Sequence, residues 1–289
     1  MRLSQFLVGA GAGTVLCGLA GTIGITPALA QSTPYYITDG DSHVAFEILG
    51  GVMVNTFAIT SPGTNDPYGL SVRNTIWIDD RQNGGAAEYT LAGVPTGNTS
   101  SGGATTFDEI LDGTTDGVHN YGSTDASGGG TPGVTIADLD WSNQAFLFPI
   151  TGTASTPNGI TYDSANDHLF VSTFANELLE YTKAGTLLNS FTMSLPNTVA
   201  SLAYEAATDT LWVAPNSGNT IFQLSTTNGA VLNSLTIPNL PSGTFGNNWG
   251  GEMVLSAPPV NAPEPGALAL LTSALPLGAA LFVRRRRRH

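Results

Sequence analysis

Thiols are the first thing missing. The 289 residues contain one cysteine, Cys17, and it lies in an apolar run near the N-terminus. The rest of the chain has no cysteine to pair, so packing must stabilise it, and thiolate chemistry is excluded there. Basic side chains are nearly as scarce. Only Arg73, Arg81 and Lys183 lie within residues 31–262, against 21 acidic residues, a formal charge of −18. Such a field repels phosphate backbones and anionic lipid, which excludes nucleic acid and peripheral membrane binding through this body. No cofactor is expected, and Ca²⁺ or another divalent cation is the one exception that the charge leaves open. Catalytic signatures are missing as well. His43, His119 and His168 stand apart without metal spacing, and no Gly-x-Ser-x-Gly elbow, His-Glu-x-x-His helix or phosphate-cradling loop occurs.

Long apolar runs are absent from the body and occur only at the two ends. Arg2 precedes an apolar stretch over 6–25, and Ala28-Leu29-Ala30 offers a small-x-small site before Gln31. That is the pattern of a secretory signal peptide over 1–30, exported through the Sec translocon and cut by signal peptidase at Ala28 and Ala30. Lipidation of Cys17 does not fit, because Leu16 stands where a small residue is needed. At the far end Pro263, Glu264 and Pro265 lead into an apolar run over 266–283, which stops at Arg284, Arg285, Arg286, Arg287 and Arg288. Those 18 residues reach about 27 Å as a helix, close to a bilayer's hydrocarbon thickness. Arginines resist translocation, so the C-terminus stays cytoplasmic and the body lies beyond the inner membrane.

The Pro-Glu-Pro break, apolar helix and basic stop of residues 261–289 resemble the PEP-CTERM sorting tail of exported Gram-negative proteins. Ala262 stands where a valine often precedes that motif. The resemblance implies recognition by a membrane-embedded exosortase, cleavage near Pro263 to Pro265, and a final place at the cell surface or outside the cell. An uncut tail anchor is the plain alternative.

Between these segments, residues 31–257 repeat themselves. Gly159-Ile160-Thr161-Tyr162-Asp163 returns as Ser201-Leu202-Ala203-Tyr204-Glu205, and Leu169-Phe170-Val171 as Leu211-Trp212-Val213, both 42 residues on. Residues 178–181 match 221–224 at an offset of 43, and 185–191 match 229–235 at 44. Each unit holds four short β-type runs separated by turns, which is the pattern of a propeller blade. A fainter copy starts at Pro67. Another starts at Gly117, where 117–121, 134–137 and 144–150 read as successive strands. The ends are complementary: 248–255 reads as a first strand with nothing after it, and 35–38, 44–48 and 52–59 as the other three. The spacing predicts an all-β propeller of five four-stranded blades, closed by pairing the N- and C-terminal strands, with separate hydrophobic helices at both termini. Residues 96–116 match poorly and leave room for a sixth blade.

Pro157-Asn158-Gly159-Ile160 and Leu169-Phe170-Val171-Ser172 are similar to phrases of the NHL, SMP-30 and PQQ-dependent propeller families. A quinone would need basic contacts that this body lacks. Lactonases of the SMP-30 type hold a divalent metal in the channel with Glu, Asn and Asp, and Asp66, Asn158 and Asn248 stand at comparable strand starts. Asparagines there are also ordinary turn residues. Asp108, Glu109, Asp112 and Asp116, with Asp138 and Asp140, lack EF-hand spacing and read as solvated loop carboxylates. Trp77, Phe170, Trp212 and Trp249 fall at core positions. Trp141 falls out of phase beside Asp140 and reads as an exposed aromatic, the kind that lectin surfaces use. The expectation is an exported, surface-sorted, non-enzymatic propeller whose partners are exopolysaccharide or surface proteins. Its rival is a metal-dependent hydrolase or lactonase.

Overall fold

A computed structural model describes residues 31–60, 66–81, 85–101, 109–125, 130–238 and 248–255. The signal segment with Ala28 and Ala30, the tail from Pro263 to Arg288 and the two terminal helices lie outside the described residues.

The chain opens with three strands, β1 (Tyr35–Asp39), β2 (Val44–Leu49) and β3 (Val52–Ala58). Sixteen more strands follow in four sets: β4 (Pro67–Val72), β5 (Thr75–Asp80), β6 (Ala86–Thr90) and β7 (Pro95–Ser100); β8 (Ile110–Thr115), β9 (Asn120–Thr124), β10 (Gly133–Ala137) and β11 (Ala145–Pro149); β12 (Pro157–Asp163), β13 (His168–Thr173), β14 (Glu177–Thr182) and β15 (Leu187–Thr192); β16 (Val199–Glu205), β17 (Thr210–Pro215), β18 (Thr220–Ser225) and β19 (Val231–Thr236). The last strand, β20 (Asn248–Met253), pairs antiparallel with β1, Tyr35 opposite Met253 and Ile37 opposite Gly251. The order β20-β1-β2-β3 makes blade 1, and blades 2 to 5 follow in sequence. The fold is a five-bladed propeller of four-stranded antiparallel sheets, and the described residues of 96–116 form no sixth blade.

That stretch instead supplies parts of β7 and β8, which corrects the reading of blade 3. Gly117 to Asn120 do not open its inner strand. Ile110-Leu111-Asp112-Gly113-Thr114-Thr115 does, and Asn120-Tyr121-Gly122-Ser123-Thr124 is the second strand. An inner strand this polar hides from apolar periodicity because its Asp, Gly and Thr find backbone partners at the centre of the ring.

Strand position sets burial. Inner strands β4, β8 and β16 are buried at every residue, whereas outer strands such as β3 alternate between exposed and partly covered. Alternate side chains point to opposite faces, so Tyr35 and Ile37 pack toward blade 5 while Tyr36 packs toward blade 2. Among the described residues, five apolar clusters form, each at an interface between adjacent blades. The cluster between blades 2 and 3 is the smallest, with Trp77, Ala86, Ile110, Ala137 and Trp141.

A repeated latch joins the blades near their rims. The turn between third and fourth strands carries a glycine with positive φ: Gly51 (79°), Gly93 (81°), Gly185 (85°) and Gly229 (68°). Each abuts an outer-strand side chain of the preceding blade, respectively Leu235, Phe57, Phe148 and Phe191. A Cβ on Gly185 would stand 2.5 Å from Phe148 Cγ, so both the φ and the clearance demand glycine. Blade 2 breaks the pattern because β7, Pro-Thr-Gly-Asn-Thr-Ser, has no large side chain to offer. Trp141 compensates. Its turn folds inward and its ring fills the wedge against Gly113, so the residue is 0% exposed, contrary to the surface aromatic expected.

Candidate functional site

The five inner strands, β20, β4, β8, β12 and β16, all run in one direction around the axis. The mouth where they begin is the front, and the mouth where they end is the rear.

The axis is filled. Asp112, read from sequence as a solvated carboxylate, is 0% exposed on β8 and reaches across to three other blades. Its Oδ1 accepts the N–H groups of Gly113 (2.8 Å) and Gly251 (2.9 Å), and its Oδ2 those of Ile160 (3.0 Å) and Leu202 (3.2 Å). Every lone pair thus has a donor. Burial pushes the carboxyl up from its ordinary range, while the N–H groups of Gly251, Ile160 and Gly113 pull it back. Glu252 stands next along β20. Its carboxylate accepts Met253 N–H (2.8 Å) and the Thr161 hydroxyl (3.1 and 3.2 Å), with Thr114 as a further partner. Burial raises this carboxyl to about 8, against the pull of those donors, so it is mostly protonated at neutral pH. Asp112 and Glu252 oppose each other's charge at the centre of the ring.

Glu252 also floors a shallow cleft at the rear mouth. The cleft spans about 250 Å³, open solvent included, and is lined by Thr114, Thr115, Tyr162, Ser164, Tyr204 and Glu252, with Val72, Met253 and Leu255 on its apolar side. Tyr162 and Tyr204 are repeat-equivalent, and each hydroxyl donates to an aspartate five residues on: Tyr162 to Asp167 (2.9 Å) and Tyr204 to Asp209 (3.1 Å). Both aspartates hold the left-handed turn position, with φ of 61° and 51°, which suits Asp better than a branched residue. Tyr121 donates to Asp116 in the same neighbourhood (2.9 Å). Lys183 bridges Asp116 (3.0 Å) and Asp167 (2.6 Å) beneath the Tyr162 ring. That ion pair holds Asp167 below the usual carboxylate range. Burial works against Asp116, but the N–H groups of His119 and Val118, with Lys183, hold it low too. Burial and the Asp167 bond push the Tyr162 phenol up to about 12.

The chain's first described residues dock near this face. Ser32 N–H (2.7 Å) and Oγ (2.8 Å) and Thr33 N–H (3.2 Å) all donate to Glu205, which also receives Trp212 Nε1 (2.9 Å). Gln31 Nε2 donates to the Ile48 carbonyl (2.9 Å).

The residues singled out as metal ligands stand at the front mouth. Asp66 precedes β4, and its carboxylate lies 4.0 Å from Arg81, which also donates to Glu109 and to the Tyr68 hydroxyl (3.1 Å). Asn158 is buried on β12; its Nδ2 donates to the Val199 carbonyl, and its Oδ1 has no partner. Asn248 begins β20 opposite Asp39. Among the described residues, no three His, Cys, Asp or Glu side chains are placed to hold a metal. His168 is engaged with Glu180 (2.7 Å), and His119 lies edge-on to Tyr121.

Sequence reasoning took Asp112 for a solvated loop acid and passed over Glu252. One signal could have found Glu252: a lone acid inside Trp249-Gly250-Gly251-Glu252-Met253, a run otherwise fit for a buried strand.

No family model matches the chain, and no curated protein matches it in sequence. In structure, 1449 solved chains match, so the shape identifies an architecture and not an activity. A chain of the nidogen/laminin complex superposes with a TM-score of 0.52 at 13% identity, covering 76% of this chain and 85% of that one. Virginiamycin B lyase from Staphylococcus aureus reaches 0.46 at 16% identity over 74% and 71%. A luciferin-regenerating enzyme reaches 0.46 at 14% over 73% and 78%. At such identities the likeness is one of fold alone, and it places this chain among the β-propellers.

Proposed function

We propose that this is an exported propeller that works by binding, sorted by its PEP-CTERM-like tail and retained at the cell surface or in the extracellular matrix of a Gram-negative cell. On this reading the Sec translocon and signal peptidase act at Ala28 and Ala30, the inner membrane holds 266–283, and an exosortase acts near Pro263, Glu264 and Pro265. The single observation that carries the non-enzymatic half is Asp112. The middle of the channel, where an SMP-30-type hydrolase keeps its reacting groups, is here taken up by a carboxylate bonded to four backbone N–H groups. The test is removal of 263–289. The truncated protein should leave the surface fraction for the medium, whereas an unchanged location would refute the sorting role.

One observation favours the rival, a divalent-metal hydrolase at the front mouth: the amide oxygen of Asn158 is buried and unpartnered. A ligand set of Asp66, Asn158 and Asn248 would use that oxygen, although Arg81 already competes for Asp66. Elemental analysis of the purified protein decides. A stoichiometric divalent metal lost on Asn158→Ala supports the rival, and its absence removes it.

A further inference from the structure

We propose that the rear mouth binds the edge of one neutral sugar ring, flanked by Tyr162 and Tyr204, with a ring hydroxyl seated on the floor formed by Thr114, Ser164 and Glu252. This rests on the reading of the protein as a binding module at the cell surface and names the chemistry of its ligand.

Size comes first. The enclosed part of the cleft takes no more than a hydroxyl-sized group, far below the roughly 300–1,000 Å³ of pockets that enclose drug-sized ligands. A chain of sugars cannot enter, but the rim of one ring can. The lining then sets the chemistry. Ser164 offers a hydroxyl donor, the Tyr162 and Tyr204 oxygens keep a lone pair to accept with, and Val72, Met253 and Leu255 supply an apolar wall for ring C–H groups. Ser164 Oγ is buried at the cleft with no hydrogen-bond partner, which leaves one polar atom for a ligand to satisfy. The two tyrosines are held in place by Asp167 and Asp209, so little side-chain freedom is lost when a ligand arrives.

Charge excludes the alternatives. The body's −18 repels uronate, sulfate and phosphate groups, and Lys183, over the Tyr162 ring, is already bonded to Asp116 and Asp167. A free cation finds little either, because the Glu252 oxygens already accept Met253 N–H and Thr161. A neutral polyol is what remains. Trp141, the aromatic expected to serve this purpose, is buried between blades, and the aromatic and carboxylate pairs occur instead at Tyr162 with Asp167 and Tyr204 with Asp209.

The experiment is saturation-transfer NMR on the intact chain in detergent, with glucose, galactose, N-acetylglucosamine and glucuronate as separate probes. Transfer to at least one neutral sugar is expected, with glucuronate several-fold weaker. Ser164→Arg fills the floor and should abolish transfer in a variant that still melts cooperatively. Ser164→Ala removes one hydrogen bond and should weaken binding about two- to tenfold. Absence of transfer to every neutral sugar overturns the proposal, as does binding that Ser164→Arg and Ser164→Ala both leave intact. Retention of the protein on its own cells, measured separately with and without 263–289, shows whether the surface-binding reading survives that failure.

Discussion

Glu252 is a carboxyl that folding makes harder to ionise, and this gives stability a direction with pH. Below its ordinary value of 4.5 it is protonated in both states, and up to about 8 the folded protein keeps a proton that the unfolded chain has released. The folded state therefore binds more protons across that window, and stability falls as pH rises through it. Asp79 and Asp112, also raised by burial, add to the same slope. Asp116, Asp167 and Glu205 are held low and act in the opposite sense, but only in more acid solution. Urea midpoints should drop between pH 5.5 and 8.5, and Glu252→Gln should make that drop shallower. Equal drops in the two proteins would show that Glu252 ionises normally. Neither axial acid was legible as such in the sequence. A carboxylate reveals its partners only once the strands carrying Gly251, Ile160 and Leu202 converge, and those residues lie 48 to 139 positions from Asp112. Its neighbours Asp108, Glu109 and Asp116 made it look like one more solvated acid.

Blades succeed one another through the glycine turn, and there the repeat is both legible and testable. Gly185→Ala forces a Cβ into left-handed backbone and against Phe148. The expected cost is about 1–3 kcal/mol, read from urea denaturation. Part of the cost is the ring contact, so adding Phe148→Ala should yield less than the sum of the two single effects; strict additivity would mean that the contact carries no strain. The two best-matched units were readable because β12 to β19 alternate apolar residues with turns at nearly constant spacing. Blade 3 was read one strand out of phase. Its inner strand has only Ile110 and Leu111 as apolar residues, and its third turn carries Trp141 where the other blades carry glycine. Local composition departs from the repeat at the one interface that is packed differently.

At the scale of the whole molecule, closure depends on β20. Ending the chain before Asn248 removes the inner strand of blade 1, the Gly251 N–H that Asp112 accepts, and Glu252 itself. β1 is left with an open edge, which invites pairing with another chain. Size-exclusion chromatography should show self-association and calorimetry the loss of a cooperative melt, whereas a chain ending at residue 257 should be monomeric and melt like the full protein. Monomeric, cooperative behaviour of the shorter chain would mean that four blades suffice. The closure itself was readable from the sequence, because each end held an incomplete set of strands whose sum was one blade.

Pairing the first strand with the last also orders events in time. At about 5–20 residues per second, the ribosome needs roughly 10 to 40 s to pass from β3 to β20, and during that interval blade 1 lacks its central strand. Blades 2 to 5 can form their hairpins as they emerge, yet the ring has no means of locking until nearly the whole chain exists. On the proposed export route, the late closure would keep the chain threadable until its synthesis is almost over.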